Sequence, residues 1–274
     1  MKNQILIVFD SLRWDVFQSA HVPFLKSMGK WKKAFTPGTY TLPAHISFFM
    51  GKLPSTFDLE DYYDTDATRF DKKSKRPYRK TKQLWRLSNP EAPKASEYTL
   101  QGRNIIEGFR EKGYFTIGTG GVNWFNPDLP AGRNLIGPFE RSRFFGGANN
   151  SSHTSAELQI EWVLESLHKL QKPYFLFINF GETHHRFIYK NCPWSVEKEP
   201  YGDSKECRRR QRSCIEYLSK QVEGLLSQLS EYDLVMCSDH GEAMGEKGLW
   251  GHGFYHKKVI EVPLLIKLYQ EEHV

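Results

Sequence analysis

Val235-Met236-Cys237-Ser238-Asp239-His240-Gly241-Glu242, running on to Trp250-Gly251-His252-Gly253, is the stretch on which the reading of this chain turns. Asp233–Cys237 is a short apolar run of the length expected for a central strand. Asp239 and His240 stand where that strand must stop, and Gly241 is expected to let the backbone turn sharply. A carboxylate beside an imidazole is a ready ligand pair for zinc or manganese. A further imidazole, His252, follows 12 residues after His240 between two glycines. An exposed loop would carry the same Asp-His pair. The strand before it and the Gly-His-Gly after it favour a metal centre.

Working outward, the 274 residues fit one large domain with a core that needs no disulfide staples. An apolar share of 39% and a charged share of 26% describe a globular rather than a disordered chain. The net charge of +6 favours anionic partners without specifying nucleic acid. No apolar run approaches the 18 or so residues of a membrane span, and Met1-Lys2-Asn3-Gln4 runs straight into a strand instead of a signal-peptide core. The expected location is cytoplasmic. Of the four cysteines, Cys237 falls within the buried strand and reads as a small core residue. Cys192, Cys207 and Cys214 lie close enough in sequence for a structural metal or a disulfide, but their spacing matches no strong zinc pattern.

Two other segments repeat the pattern of the opening stretch. Gln4–Phe9 is continuous, β-branched and apolar, as in a strand buried on both faces of a parallel sheet. Asp10-Ser11 follows at its carboxyl end, where open α/β sheets gather ligands. Asp10 could equally cap a helix over Leu12–Phe17. Pro173–Phe180 is a third buried strand, and it delivers Gly181-Glu182-Thr183-His184-His185-Arg186 at its end. Three strand ends thus bring metal-ligand residue types to one edge.

Between them, helices are expected over Val22–Trp31, Ala44–Met50, Thr99–Lys112, Ser152–Leu170 and Glu206–Ser230. The Ser152–Leu170 helix is expected to bury Leu158, Trp162, Val163 and Leu167. Pro43 fits the first turn of a helix, which puts Thr41 near its N-terminus. The helix dipole there favours an anion and an ionised oxygen nucleophile, although capping alone would also explain a threonine. A threonine hydroxyl needs a metal or a base to lose its proton. Tyr114–Gly118 and Val259–Leu268 are the remaining strands. Asn123, in the loop Gly120–Phe125, is placed to shape a pocket. The helix-Gly-strand order at Gly113 is that of a parallel α/β sheet.

Residues 56–98 read as an insertion. Asp58–Asp66 is acidic, and Arg69–Arg86 is strongly basic with few apolar residues. A solvated loop is the simpler reading, and a lid or a docking surface for a phosphate-rich partner or nucleic acid is the other. Cys192–Cys207 reads as a flap over the site. Arg208-Arg209-Arg210 near a helix start opposes the helix dipole, unless the helix begins later.

Outside the insertion, the chain resembles the alkaline phosphatase superfamily, and within it the sulfatase-like branch. Ile7-Val8-Phe9-Asp10-Ser11-Leu12-Arg13-Trp14-Asp15 looks like the family's first strand and metal-binding aspartate. The most specific match is Ser238-Asp239-His240-Gly241-Glu242-Ala243-Met244-Gly245-Glu246-Lys247-Gly248-Leu249-Trp250-Gly251-His252-Gly253, followed by Val262-Pro263-Leu264-Leu265-Ile266. Family sulfatases carry a formylglycine-forming cysteine in a Cys-x-Pro-Ser-Arg motif. Here Thr41-Leu42-Pro43-Ala44-His45 takes that place, with Gly51 ten residues on. Threonine cannot become formylglycine, and at this position the chain is similar to the phosphodiesterase and phosphoethanolamine-transferase branches.

The resemblance implies a three-layer α/β sandwich with a mostly parallel central sheet between helices, and one catalytic domain over 1–274. It implies that Asp10, Thr41, Asp239 and His240 hold one divalent ion, zinc or manganese before magnesium or calcium. His184 and His252 would hold or border a second, with Glu182 or His185 completing it. The phosphodiesterase pattern expects an aspartate four residues before a histidine, whereas Glu182 is followed by Arg186, so a single-metal site is the alternative. His45 replaces the sulfatase arginine as a substrate contact, and His185, Glu182 and Asn123 line the substrate. The implied activity is a soluble, metal-dependent hydrolase of phosphate esters acting through a phosphothreonine. Sulfate, phosphonate or phosphodiester hydrolysis, or a non-catalytic metal-bound protein holding an anionic partner, are the rivals.

Overall fold

The computed structural model describes residues 1–51, 103–146, 155–198 and 200–269. The insertion expected at 56–98, with its acidic and basic blocks, lies outside the described residues.

A seven-stranded sheet organises the chain. Its strands are β1 (Asn3–Phe9), β2 (Lys32–Phe35), β3 (Phe115–Gly120), β4 (Arg141–Phe144), β5 (Tyr174–Phe180), β6 (Tyr232–Ser238) and β9 (Glu261–Lys267), in the order β2-β9-β6-β1-β5-β3-β4. β6, β1, β5, β3 and β4 run parallel, while β9 and β2 are added antiparallel at one edge. A two-stranded ribbon, β7 (Ala243–Met244) with β8 (Trp250–Gly251), stands beside it.

Strand alternation splits the core into two layers, because successive side chains leave opposite faces of a sheet. Along β5, Leu176, Ile178 and Phe180 join Ile5, Ile7 and Phe9 of β1 on one face. That face is covered by α1 (Trp14–Ser19), α2 (Pro23–Ser27), α6 (Ser155–Leu167) and α7 (Ser204–Leu226). Phe175 and Phe177 point the other way, with Val8 and Cys237, against Leu42, Ile46 and Phe49 of α3 (Thr41–Met50), Ile106 of α4 (Ile105–Glu111) and Leu135 of α5 (Pro130–Ile136). This is the expected sandwich, and Cys237 is the core residue the sequence implied.

Several expectations change. The helix expected over Val22–Trp31 is only Pro23–Ser27, because the chain passes Gly29 at φ 148° and re-enters the sheet as β2. β2 and β4 carry the sequences KKAF and RSRF, charged edge strands that no apolar alternation announces. Leu158 is 42% exposed, whereas Trp162 and Val163 are buried as expected, Leu167 packs half-buried against the core, and Ala156, Gln159 and Ser166 join them. The helix α7 begins earlier than expected, not later: the Asp203 carboxylate accepts from the N–H groups of Lys205 and Glu206. Its basic run is balanced locally. Glu206 pairs with Arg209 at 2.7 Å and Arg210 at 2.8 Å, and Arg208 lies 3.7 Å from Glu246. No disulfide forms, since all four cysteines are free. Cys207 and Cys214 are wholly buried beside Phe187 and Met244.

The feature that makes a site is register. Phe9 pairs with Phe180 on one side and with Ser238 on the other. The next residue of each strand, Asp10, Gly181 and Asp239, therefore emerges at one level.

Candidate active site and metal centre

Asp10 and Asp239 leave the ends of β1 and β6 fully buried, and His240 joins them. Among the described residues, only Asp10, Asp239 and His240 bring three ligand-type atoms within 4.8 Å of one another. The backbone is arranged around them. Ser11, at φ 65°, donates its N–H to Asp239 Oδ1 at 3.0 Å, and the His240 N–H donates to the same oxygen at 2.9 Å. A left-handed serine is strained, and the surrounding bonds hold it there. Its carbonyl accepts from Gln211 Nε2, and the Leu12 N–H donates to Ser238 Oγ. Thr183 Oγ1 donates to the Asp10 carbonyl at 2.7 Å, and Thr36 Oγ1 donates to the Asp239 carbonyl.

The outward oxygens stay unsatisfied. Asp10 Oδ1 and Asp239 Oδ2 are buried without a hydrogen-bond partner. Burial, then the Asp239 charge, pushes the Asp10 carboxyl up to about 8. Burial pushes Asp239 up to about 7, against the pull of the Ser11 and His240 N–H groups. Orphaned buried carboxylate oxygens are costly unless a cation meets them. His240 is prepared for the same partner: Nδ1 donates to the Gly241 carbonyl at 2.9 Å, so Nε2 carries the lone pair, 3.7 Å from Asp10 Oδ1 and 3.5 Å from Asp239 Oδ2. The donor set of two carboxylates and an imidazole fits a divalent transition metal.

Thr41 completes the group. It is the first residue of α3 and 1% exposed, and its Oγ1 lies 3.4 Å from both Asp10 Oδ2 and His240 Nε2. His45, one turn on, donates Nδ1–H to the Thr41 carbonyl at 2.8 Å. Its ring is wholly buried among Phe48, Phe49, Phe125 and Phe177, and Nε2 has no partner. Burial lowers its pKa to about 3, so the 3.7 Å approach of Nδ1 to Asp239 Oδ2 is not an ion pair. The position is that of a brace beneath Thr41.

His252 and His184 stand beside this cluster. The His252 ring is 4.4 Å from that of His240 and 5.2 Å from that of His184. His252 Nδ1 meets Glu242 Oε2 at 2.9 Å, and Ser11 Oγ donates to the same oxygen at 2.5 Å. Burial alone would raise the Glu242 carboxyl, but His252, His184 and Ser11 together hold it well below the usual range. Burial, then His252, depresses His184, whose Nδ1 donates to the His185 carbonyl. His185 itself packs 4.3 Å from the ring of Tyr201.

Glu182 goes elsewhere. Its Oε1 accepts the Ala156 N–H at 2.7 Å, at the start of α6, and burial raises its carboxyl to about 8. It does not converge with the metal-ligand group. Asn123 opens a 3-10 turn (Asn123–Phe125) whose next residue, Trp124, packs 5.8 Å from Tyr40. Gly241 is needed for a reason other than its torsion: it is not among the positive-φ glycines, but a Cβ there would strike the Lys258 carbonyl. The positive φ values belong to Gly251 at 90° and Gly253 at 92°, the glycines around His252.

Four residues of the site were missed. Asn179 donates Nδ2 to Asp10 Oδ2 at 3.3 Å, and it is the one amide in the otherwise apolar strand β5. Ser11 and Glu242 lie inside the quoted motifs without an assigned role. Tyr201 gave no sequence signal. Arg13, 1% exposed, braces the site from outside: it grips Asp15 through two bonds, Glu246 at 2.8 Å and the Glu242 carbonyl at 3.2 Å.

The fold is shared with solved structures of low sequence identity. A protein in the alkaline phosphatase superfamily from Vibrio parahaemolyticus superposes with TM-score 0.60 at 14% identity, covering 98% of this chain and 60% of that one. This chain therefore spans less than two thirds of that protein's length. The C-terminal periplasmic domain of a phosphoethanolamine transferase from Campylobacter jejuni gives 0.63 at 13% identity, with 97% and 80% covered. A phosphonate monoester hydrolase of Agrobacterium radiobacter gives 0.62 at 13%, with 98% and 68% covered. No curated protein is significantly similar in sequence. The sequence model of the Sulfatase family matches residues 2–272, and with an alkaline-phosphatase-like fold around this site the chain belongs to the sulfatase family.

Proposed function

We propose that the protein is a metal-dependent hydrolase of phosphate esters with Thr41 as its nucleophile. The observation that carries this reading is Thr41 Oγ1, 3.4 Å from both Asp10 Oδ2 and His240 Nε2, beside two orphaned carboxylate oxygens. A divalent ion held by Asp10, Asp239 and His240 supplies the Lewis acidity that lowers the threonine pKa and offsets charge on the substrate oxyanion.

The chain's own groups do the rest. Thr41 sits at the start of the ten-residue α3, so the positive end of the helix faces the transferring group. His45 fixes the Thr41 carbonyl and thereby the first turn. Thr41 Oγ1 attacks phosphorus, the bond to the leaving oxygen breaks, and a phosphothreonine forms. The leaving oxygen takes a proton from His252, whose Nδ1 contact with Glu242 lets the ring hold a proton on Nε2. Thr41 enters the cycle ionised, its proton already released at the lowered pKa; water then attacks phosphorus and gives its proton to the neutral His252 Nε2, the bond to Thr41 Oγ1 breaks, phosphate departs, and ionised Thr41 and protonated His252 are restored. His184 and His185 border the leaving-group side.

Purified protein assayed on matched aryl phosphate monoester, phosphodiester, phosphonate and sulfate substrates, with zinc or manganese, tests this. The expected result is turnover of a phosphate ester that Thr41→Ala abolishes while the fold persists. A Thr41→Ala variant with unchanged turnover sinks the assignment. Transfer to an added alcohol in preference to water would make the protein a transferase.

A further inference from the structure

The segment between β5 and α7 sends one group into the site that the reaction above does not use. Tyr201 Oη donates to Glu242 Oε1. The other carboxylate oxygen, Oε2, takes Ser11 Oγ at 2.5 Å and His252 Nδ1 at 2.9 Å. Glu242 is completely buried, and its two oxygens meet three donors from three separate parts of the chain. The Tyr201 ring packs 4.3 Å from His185 and 5.6 Å from Trp250, the residue two before His252.

We propose that Tyr201 is a positioning residue that acts on His252 through Glu242. A carboxylate held through one oxygen can still swing about its terminal torsion, which is broad and roughly two-fold. A second contact on the other oxygen fixes the plane. With the plane fixed, Oε2 accepts from His252 Nδ1, and Nε2 becomes the nitrogen at which the ring takes up and gives away its transferable proton, carrying the lone pair when the ring is neutral. A partner on one imidazole nitrogen sets the state of the other. The segment expected to be a flap is thereby wired to the histidine on the leaving-group side.

The kinetic half of this claim rests on the proposed function, and the structural half does not. Tyr201→Phe keeps the ring packing and removes only the hydroxyl, whereas Tyr201→Ala removes both. Glu242→Gln offers one acceptor oxygen where the native carboxylate offers two, so one of its three donors loses its partner. The test is the imidazole tautomer of His252 in the full chain, read by long-range 1H–15N correlation with and without zinc, at a pH where the ring is neutral. A His252→Gln spectrum assigns the signal. The wild type is expected to show Nδ1–H alone. Tyr201→Phe is expected to show mixed or exchange-broadened tautomers, with a kcat on an alkyl phosphate lower by about 10-fold or more and KM almost unchanged. Glu242→Gln is expected to shift both further. An unchanged His252 tautomer in Tyr201→Phe overturns the proposal, whatever kcat does. Activity lost in Tyr201→Ala but full in Tyr201→Phe overturns it in favour of ring packing. Should Thr41→Ala keep turnover, the proposed function fails while the tautomer result still decides this point.

Discussion

The two halves of the site solve the problem of buried charge in opposite ways. Around Asp10 and Asp239, inward oxygens are hydrogen-bonded and outward oxygens are left bare. Around Glu242, two carboxylate oxygens are met by Ser11, His252 and Tyr201. The first half leaves two buried oxygens that no described residue meets. The second is closed by the protein itself. Burial raises the carboxyls of the first half, while the donors of the second hold Glu242 well below its ordinary range. The comparison teaches where to look for metal and where to look for proton handling.

The largest expected effect separates the halves by chemistry. Thr41→Ala is expected to cost about 1,000-fold or more in kcat on every ester, because it removes the proposed nucleophile. His252→Ala should cost about 100- to 10,000-fold on an alkyl phosphate and far less on a nitrophenyl phosphate, which needs no protonation of its leaving oxygen. Equal losses on both substrates would break the assignment of His252 to the leaving group.

The brace that holds the second half comes next. Arg13→Ala strips the buried partner from Asp15, Glu246 and the Glu242 carbonyl; the two acids are partly exposed and keep Lys258 and Arg208, so the expected cost is about 1.5–3 kcal/mol of stability in urea unfolding. Metal binding follows. Zinc at about 100 times its dissociation constant should stabilise the fold by about 2.7 kcal/mol, visible as a raised Tm. Asp239→Asn should erase that gain, while Glu242→Gln should retain most of it. Loss of the zinc response in Glu242→Gln would merge the two halves into one metal site.

A fourth test uses pH on protein stripped of metal. Asp10 and Asp239 bind protons more tightly folded than unfolded, up to about 8 and about 7. Their contribution to stability is present below the unfolded carboxylate range and is lost as pH rises through those values. Glu242 is shifted the other way, so its contribution is lost as pH falls below the unfolded carboxylate range. Buried His45 and His184, held below the usual imidazole range, oppose this slope until pH passes the unfolded histidine value of about 6.5. Denaturant unfolding from about pH 7 to 8 should therefore show stability falling with pH without metal, and a flatter profile with zinc. A rise over this window in the stripped protein would contradict the picture of the first half. The smallest effect lies outside both halves: Leu158→Gln, on the exposed side of α6, should change stability by no more than about 0.5 kcal/mol.

The first half was legible in the sequence because its residues follow strands whose apolar runs are plain, and ligands gather at such strand ends. Those runs and Pro43 placed Asp10, Asp239, His240 and Thr41 at strand ends and a helix start with capping readings beside them for Asp10 and Thr41, and the family resemblance joined the four into one ligand set. The second half was partly illegible, since a buried partner is defined by what faces it and not by its neighbours in sequence. Tyr201 meets Glu242 from 41 residues away. Asn179 had a signal that went unread, a lone amide in a core strand. Glu182 was misplaced because a carboxylate at a strand end can also serve a helix N-terminus, here that of α6. The edge strands β2 and β4 were invisible for the reason that protects them: charge in place of apolar alternation. Among the described residues no helix is long and apolar enough to cross a membrane.

The register that aligns Asp10 with Asp239 has a consequence in time. The bond from Ser11 to Asp239 spans 228 residues of chain. Contacts of such long sequence separation form slowly, after the loop between them has been closed. During synthesis Asp10 and Thr41 leave the ribosome long before Asp239 and His240 exist, so of this cluster the nascent chain at first presents only one carboxylate and a hydroxyl. In the proposed enzyme, metal selection therefore falls to the folded protein, after β6 has zipped beside β1.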